Sequence, residues 1–439
     1  MAPDIPRLDH DHLWHPFTQQ QGWIEEEPLV IERGEGCYLI DVDGNRYLDG
    51  HSSLWCNVHG HRHPTLDAAI REQVDRVSHS TMLGLSHPGA AELAARLVAI
   101  APPGLTRVFY SDSGATAAEI ALKMAFQYHQ QRGDDGRTSF VHLREGYHGD
   151  TIGSVSVGGI DLFHATYRPL LFDTHMVEPG DAAAMERVLA EHGEELAAVI
   201  LEPLVQGAGG MLVHPPGYLR AVRELCDRYG VLLIADEVAV GFGRTGTMFA
   251  CEQEDVAPDF LCLAKGITGG YLPLAATLTT EAIYDGFLGA AEELRTFFHG
   301  HTYTGNPLAC AAALANLDVF ESERTLERLQ PKIALFEALL ARVGEMDEVT
   351  EIRQLGFMAG IDLGDWDPAL RMGHRVTNEA RRRGAIVRPL GNTVVLVPPL
   401  AISEDELRSL LTITTDSIVA AVASAPAAER SAGTAPPVA

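Results

Sequence analysis

Between residues 64 and 320 the chain repeats one pattern, a short apolar run followed by a stretch of helical period. The runs are "RVFYS", "SFVHL", "AAVILEP", "VLLIADEV" and "FLCLAKG". They are apolar at successive rather than alternate positions, so both faces of each strand must be covered. Such runs separated by helices predict an α/β fold with a largely parallel sheet between helical layers. After "SDSG", the residues Ala117, Ile120, Ala121, Met124 and Tyr128 return to one side of a helix. Before this region, "CYLIDVDGNRYLD" places two β-prone runs around Asp43-Gly44 and predicts a hairpin. After it come a long helix from about residue 325, strands near "IRQLGFMAGIDL" and "TVVLVPPL", and a last helix opened by the capping box Ser403-x-x-Glu406. The expected organisation is an N-terminal segment 1–63 contributing to a small domain, a large domain 64–324, a C-terminal small domain 325–424 and a disordered tail 425–439.

Charge narrows the classes of partner. The 33 basic and 60 acidic residues give a formal charge of -27, which repels nucleic-acid phosphates and anionic lipid surfaces. No apolar stretch reaches the ~18 residues of a membrane span, and "MAPDIPRLDHDHLWHPF" is too polar for a signal peptide, so a cytoplasmic protein is expected. The cysteines, Cys37, Cys56, Cys226, Cys251, Cys262 and Cys310, lack paired spacing and read as free thiols.

In a parallel sheet, ligand groups gather at the carboxyl ends of the strands. Here those ends are "SDSGA" at 111–115, "EGYHGD" at 145–150, "EPLVQGAGG" from Glu202, Asp236-Glu237, and Lys265. Lysine occurs only three times, at 123, 265 and 332, so a lysine closing an apolar run is no casual surface charge. Asp236 and Lys265 could form a buried ion pair, or Lys265 could simply face solvent. The chemical alternative puts pyridoxal 5'-phosphate between them, with Lys265 as its Schiff-base nucleophile and Asp236 protonating the pyridine nitrogen. Ser111-Asp-Ser-Gly-Ala115 lies between a strand and a helix, where backbone N–H groups suit a phosphate or merely a cap. Tyr147 could cover a flat ring or be a core tyrosine. The alternating His59, His61 and His63 resemble a metal cluster but lack supporting carboxylate or cysteine spacing, so no metal is expected. Neither "GAGG" nor "GITGG" fits a nucleotide-binding loop.

Taken together, "LWHPFTQ", "SSLWCNVHGH", "VFYSDSGATAAEIALKMAFQY", "YHGDT", "EPLVQGAGGM", "LLIADEVAVGFGRTG", "AKGITGGYLPLAATL", "FHGHTYTGNPLAC" and "VRPLG" resemble the class III aminotransferases of pyridoxal-phosphate fold type I, along nearly the whole chain. Within that family the chain is similar to the branch of biotin biosynthesis that converts 7-keto-8-aminopelargonate to 7,8-diaminononanoate. The resemblance implies an aspartate-aminotransferase-like fold, with a large, mostly parallel seven-stranded sheet domain and a smaller α/β domain. It implies a cofactor lysine at Lys265, a pyridinium partner at Asp236, ring-sandwiching residues at Tyr147 and Val238, and a phosphate cup at Ser113, Gly114 and Ala115. Thr302 matches a threonine that reaches the phosphate of the neighbouring subunit's site, which implies a homodimer with shared active sites. The implied substrate-facing positions are Phe17, Trp55, Asp150, Arg244, Gly300 and Arg388, the last receiving the substrate carboxylate.

The implied reaction is a ping-pong transfer between small molecules, the donor loading the site before the oxo acid takes the amine. Relatives that use S-adenosylmethionine carry tyrosine, tryptophan and tyrosine where this chain has Phe17, Leu54 and Val395, which resembles the branch using L-lysine; both donors stay open. Two alternatives also stand. One is another class III ω-aminotransferase acting on lysine, a diamine or 4-aminobutyrate. The other is a ligand- or DNA-binding protein of this fold without turnover, against which the intact Lys265 and Asp236 and the acidic charge both argue.

Overall fold

The structure is a computed structural model and describes residues 4–426, so most of the expected disordered tail 425–439 lies outside the described residues. Its centre is a seven-stranded sheet of β1 (Leu105–Ser111), β2 (Ser139–Leu143), β3 (His175–Val177), β4 (Leu196–Leu201), β5 (Leu232–Asp236), β6 (Phe260–Leu263) and β7 (Ala275–Thr280), in the order β1-β7-β6-β5-β4-β2-β3. Only β7 runs against its neighbours β6 and β1; the β6-β5-β4-β2-β3 pairings are all parallel. All strands but β7 therefore end on one edge.

The successive apolar positions are explained by the two layers. Ala198, Ile200, Ile234 and Cys262 pack with the helix α1 (Gly114–Arg132), through Ala117, Ile120, Ala121 and Met124. Val199, Leu201, Leu233, Ala235, Leu261 and Leu263 face the opposite core, with Leu219, Val222 and Phe320. In the central strands β4, β5 and β6 nearly every residue loses its water whichever way it points, whereas the outer β1 and β3 keep exposed positions such as Arg107 and Met176.

The small sheets tie the two ends of the chain together. The hairpin pairs Tyr38–Asp41 with Arg46–Asp49, and its turn is held by Asp41, whose Oδ1 accepts from the N–H groups of Asp43 and Asn45 at 3.0 and 2.8 Å. Arg46–Asp49 then pairs in parallel with Ala385–Ile386. A second sheet combines Glu351–Leu355, Met358–Asp362, Thr393–Leu396 and Arg388–Leu390. The last helix, Glu404–Ala423, has its capping box: the Glu406 N–H donates to Ser403 Oγ at 3.2 Å, and the Ser403 N–H to Glu406 Oε2 at 2.9 Å. No helix among the described residues is long and apolar enough to cross a membrane.

Candidate active site

The edge at which β1, β2, β4, β5 and β6 end gathers the chemistry. Asp236 closes β5 and is 2% exposed. Its Oδ2 lies 2.7 Å from His148 Nδ1, and its Oδ1 accepts from the Val238 N–H at 3.0 Å. Lys265 follows β6 with φ +45°, a left-handed conformation costly for a side chain of its size. The Asp236–Lys265 ion pair, one of the alternatives open from the sequence, is absent among the described residues, and His148 meets the carboxylate instead. The Lys265 ammonium instead lies 4.9 Å from the ring centroid of Trp55. Burial lowers its pKa, and the negative charges of Asp236 and Glu202 only partly oppose that shift.

Between β1 and α1, Ser113 is the N-cap, its Oγ accepting from the Thr116 N–H at 3.4 Å. A Cβ on Gly114 would sit 2.6 Å from Val238 Cγ1, so only glycine lets the start of α1 meet the loop after β5. Gly149, at φ +119°, allows an equally close approach of the Tyr147–Asp150 segment to Ala115. Tyr147 donates its hydroxyl to Asp150 Oδ2 at 2.8 Å, which with burial raises the phenol's pKa. Below it, Glu202 accepts from the N–H groups of Tyr147 and Gly207 at 3.1 and 3.0 Å, and burial pushes its pKa up to about 7.

An anion seat at a helix start, a buried carboxylate and an amine with no carboxylate partner on one sheet edge fit pyridoxal phosphate. The phosphate suits the N–H groups of Ser113, Gly114 and Ala115, the pyridine nitrogen suits Asp236, and the aldehyde suits Lys265.

The remaining sequence candidates divide. Phe17 is exposed and meets Phe163 edge-on at 5.3 Å, and Phe163 meets Tyr147 in the same way at 6.2 Å. Arg388 is half-buried in its strand, and the burial lowers its pKa. Arg244 is differently placed from a substrate fork: Nη1 and Nη2 donate to the carbonyls of Pro398 and Asn57, both at 2.7 Å, and it is 2% exposed. Gly300 and Thr302 lie in an exposed segment between β7 and the helix Pro307–Ser322. Val395, named for its missing aromatic surface, is fully buried in its strand, while Leu54 is 47% exposed. The histidines of "HGHRH" take separate partners: His61 Nε2 meets Asp49 Oδ2, His63 Nε2 meets Glu323, and His59 packs against Phe320 and, at 5.8 Å, the His63 ring.

His148 and Phe163 escaped the sequence reading. His148 adjoins Tyr147 in "GYHGD", but its partner lies 88 residues away. A polar residue one step from a candidate ring-facing residue was the available signal.

The class-III aminotransferase family model matches residues 21–418. The chain is 60% identical to the adenosylmethionine-8-amino-7-oxononanoate aminotransferase of Nitratidesulfovibrio vulgaris, over 94% of this chain and 81% of that protein. It is also similar to the crystal structure of the enzyme of that name from Methanocaldococcus jannaschii, with a TM-score of 0.94 and 46% identity over 95% and 98% of the two chains. An amine transaminase from an uncultivated Pseudomonas species, solved in its PLP-bound form, superposes with a TM-score of 0.88 at 39% identity over 93% and 99%.

Proposed function

As a member of the class-III aminotransferases this chain is a pyridoxal-phosphate-dependent transaminase, and we propose that it aminates 8-amino-7-oxononanoate (7-keto-8-aminopelargonate) to 7,8-diaminononanoate in biotin biosynthesis. The observation that carries the choice of acceptor is the near-full-length similarity, at 60% identity, to a relative named for that oxononanoate. The preferred donor is S-adenosylmethionine, which the same name includes. L-lysine is the second reading, favoured by the exposed Phe17 and Leu54.

Bound pyridoxal phosphate supplies an electron sink for the donor carbon that loses its proton. Asp236 keeps the pyridine nitrogen protonated, and His148 and the Val238 N–H hold that carboxylate in place. Ser113, Gly114 and Ala115 would seat the phosphate, and Tyr147 and Val238 would hold the ring. Lys265 would hold the cofactor and would carry a proton to and from the reacting carbon; its lowered pKa leaves more free amine near neutral pH. Arg388 receives the acceptor carboxylate, while Phe17, Trp55, Asp150 and Gly300 border the substrates. The active form is a cytoplasmic homodimer in which Thr302 serves the partner's site; exposed Phe298 and Tyr303 near it support a buried subunit contact.

The test is amine tracing. The holoenzyme is given 8-amino-7-oxononanoate with ¹⁵N-labelled S-adenosylmethionine or ¹⁵N-labelled L-lysine, and the diamine is weighed by mass spectrometry. Label from S-adenosylmethionine is expected. Label from lysine alone would replace the donor, and unlabelled, unconverted oxononanoate with both donors would remove the acceptor.

A further inference from the structure

Trp55, whose ring faces the Lys265 ammonium, is delivered by an unusual piece of backbone. Ser52, Ser53, Leu54 and Trp55 have φ of +52°, +48°, +75° and +66°. This is one left-handed turn without glycine, in which the Trp55 N–H donates to His51 O at 2.8 Å and the Cys56 N–H to Ser52 O at 3.0 Å. Each such residue costs roughly 1–2 kcal/mol, so the surroundings must hold the turn against its own preference.

The holding group is Asp49, the last residue of its strand and 0% exposed. Its Oδ1 accepts from the Ser53 N–H at 3.0 Å, and its Oδ2 accepts from Ser53 Oγ at 2.8 Å and faces His61 Nε2 at 3.0 Å. The tautomer of His61 follows from the next bond. The Gly60 N–H donates to Asn57 Oδ1 at 2.7 Å, which turns the Asn57 amide nitrogen toward His61 Nδ1 at 3.1 Å. With Nδ1 accepting from that amide, His61 Nε2 is the nitrogen that donates to Asp49. His51 Nδ1 stands 3.2 Å from Asp49 Oδ1, near but not aligned for a hydrogen bond. Ser52 Oγ adds a bond to Val397 O at 2.5 Å. A Cβ on Gly207 would come 2.9 Å from the indole, so the ring packs directly on that glycine while Lys265 Nζ lies 4.9 Å from its centroid.

We propose that Asp49 is a positioning residue of the active site: its buried carboxylate locks the Ser52–Trp55 turn left-handed and so holds the Trp55 indole against the Lys265 amine. This rests on Lys265 being the reactive amine. Asp49→Asn keeps the shape but presents an N–H₂ to at least one donor, so the turn relaxes, Trp55 withdraws and water reaches Lys265.

The experiment uses the chain's own internal controls, since it has only three lysines. The full chain freed of cofactor is labelled with cyanate across a pH series, and peptide mass spectrometry follows Lys123, Lys265 and Lys332 separately. In Asp49→Asn the half-labelling pH of Lys265 rises by roughly one unit toward an ordinary lysine, while Lys123 and Lys332 keep theirs. The holoenzyme loses roughly tenfold or more in kcat. Adding Ser53→Gly, which accepts a left-handed φ without strain, returns the Lys265 profile and part of the kcat. Ser53→Ala removes one bond to the carboxylate and gives a smaller shift in the same direction; it decides the matter alone if Asp49→Asn does not fold. An unchanged Lys265 profile, or a shift of all three lysines together, would overturn the proposal. A Lys265 shift in a chain that proves unable to transaminate would uphold the positioning and reject the functional reading.

Discussion

Replacing Arg244 by methionine separates a framework role from a substrate role. The guanidinium donates to two carbonyls at 2.7 Å, joining the loop after β5 to Asn57 and to Pro398. Hydrogen bonds from a charged group contribute about 1.5–3 kcal/mol each, roughly 3–6 kcal/mol for the pair. Burial opposes this and brings the guanidinium's pKa down to about 10, a cost of roughly 3 kcal/mol that methionine would relieve. The net loss is ~0–3 kcal/mol, with both carbonyls left without these donors. With an unfolding entropy of about 2.1 cal/mol/K per residue over 439 residues, or about 0.9 kcal/mol/K, that lowers the melting temperature by up to about 3 °C. Calorimetry of wild type and Arg244→Met measures the shift, and steady-state kinetics with both substrates measures the rest. The expected result is a lower Tm with both KM values changed by a similar factor. An unchanged Tm with the acceptor's KM alone raised tenfold would show that Arg244 faces substrate and that this reasoning is wrong.

Other predictions concern single features. Arg388→Ala should raise the KM for the oxo acid about tenfold or more while leaving the donor's half-reaction near wild type; an acceptor KM equal to wild type would remove that role. Gly114→Ala places a Cβ 2.6 Å from Val238 Cγ1 and should weaken cofactor binding by about tenfold, roughly 1.4 kcal/mol, as read by titration of the chain with pyridoxal phosphate; unchanged affinity would mean that the phosphate seats elsewhere. Glu237 accepts the N–H groups of Ala250 and Cys251, and burial raises its pKa from 4.5 to about 7. The folded chain then holds a proton that the unfolded chain releases, so this group's contribution is fully present below about pH 4.5 and falls by ~3 kcal/mol as pH rises to about 7. In urea titrations from pH 5 to 8, Glu237→Gln should flatten that decline; an unaltered slope would reject the raised pKa.

The central strands β4, β5 and β6 were legible because they are buried on both faces, which writes an unbroken apolar run into the chain, whereas the short, partly exposed β3 and the antiparallel β7 were not among the runs read. The helix α1 was legible because its buried residues fall on a helical period. Their ends located Asp236, Lys265, Ser113 and Tyr147 at one edge, since parallel topology alone brings strand termini together. Partnership was less visible. Nothing in "GYHGD" says that His148 reaches Asp236, and nothing in "GFGRTG" says that Arg244 is bonded to carbonyls of distant segments. Least visible was the Ser52–Trp55 turn. Left-handed backbone is ordinarily advertised by glycine or asparagine, and "SSLW" has neither, so only the bonds that Ser53 donates to the buried Asp49 reveal it. Val395 shows the same limit, because an aligned position does not tell whether its side chain meets the ligand or the core.

The most direct measurement of the central claim is reduction of the holoenzyme with borohydride, which fixes the cofactor to the lysine that carries it, followed by peptide mass spectrometry. With three lysines in the chain, the outcome is unambiguous. A pyridoxyl group on Lys265 alone is predicted, and its presence on Lys123 or Lys332, or on no lysine, would contradict the account.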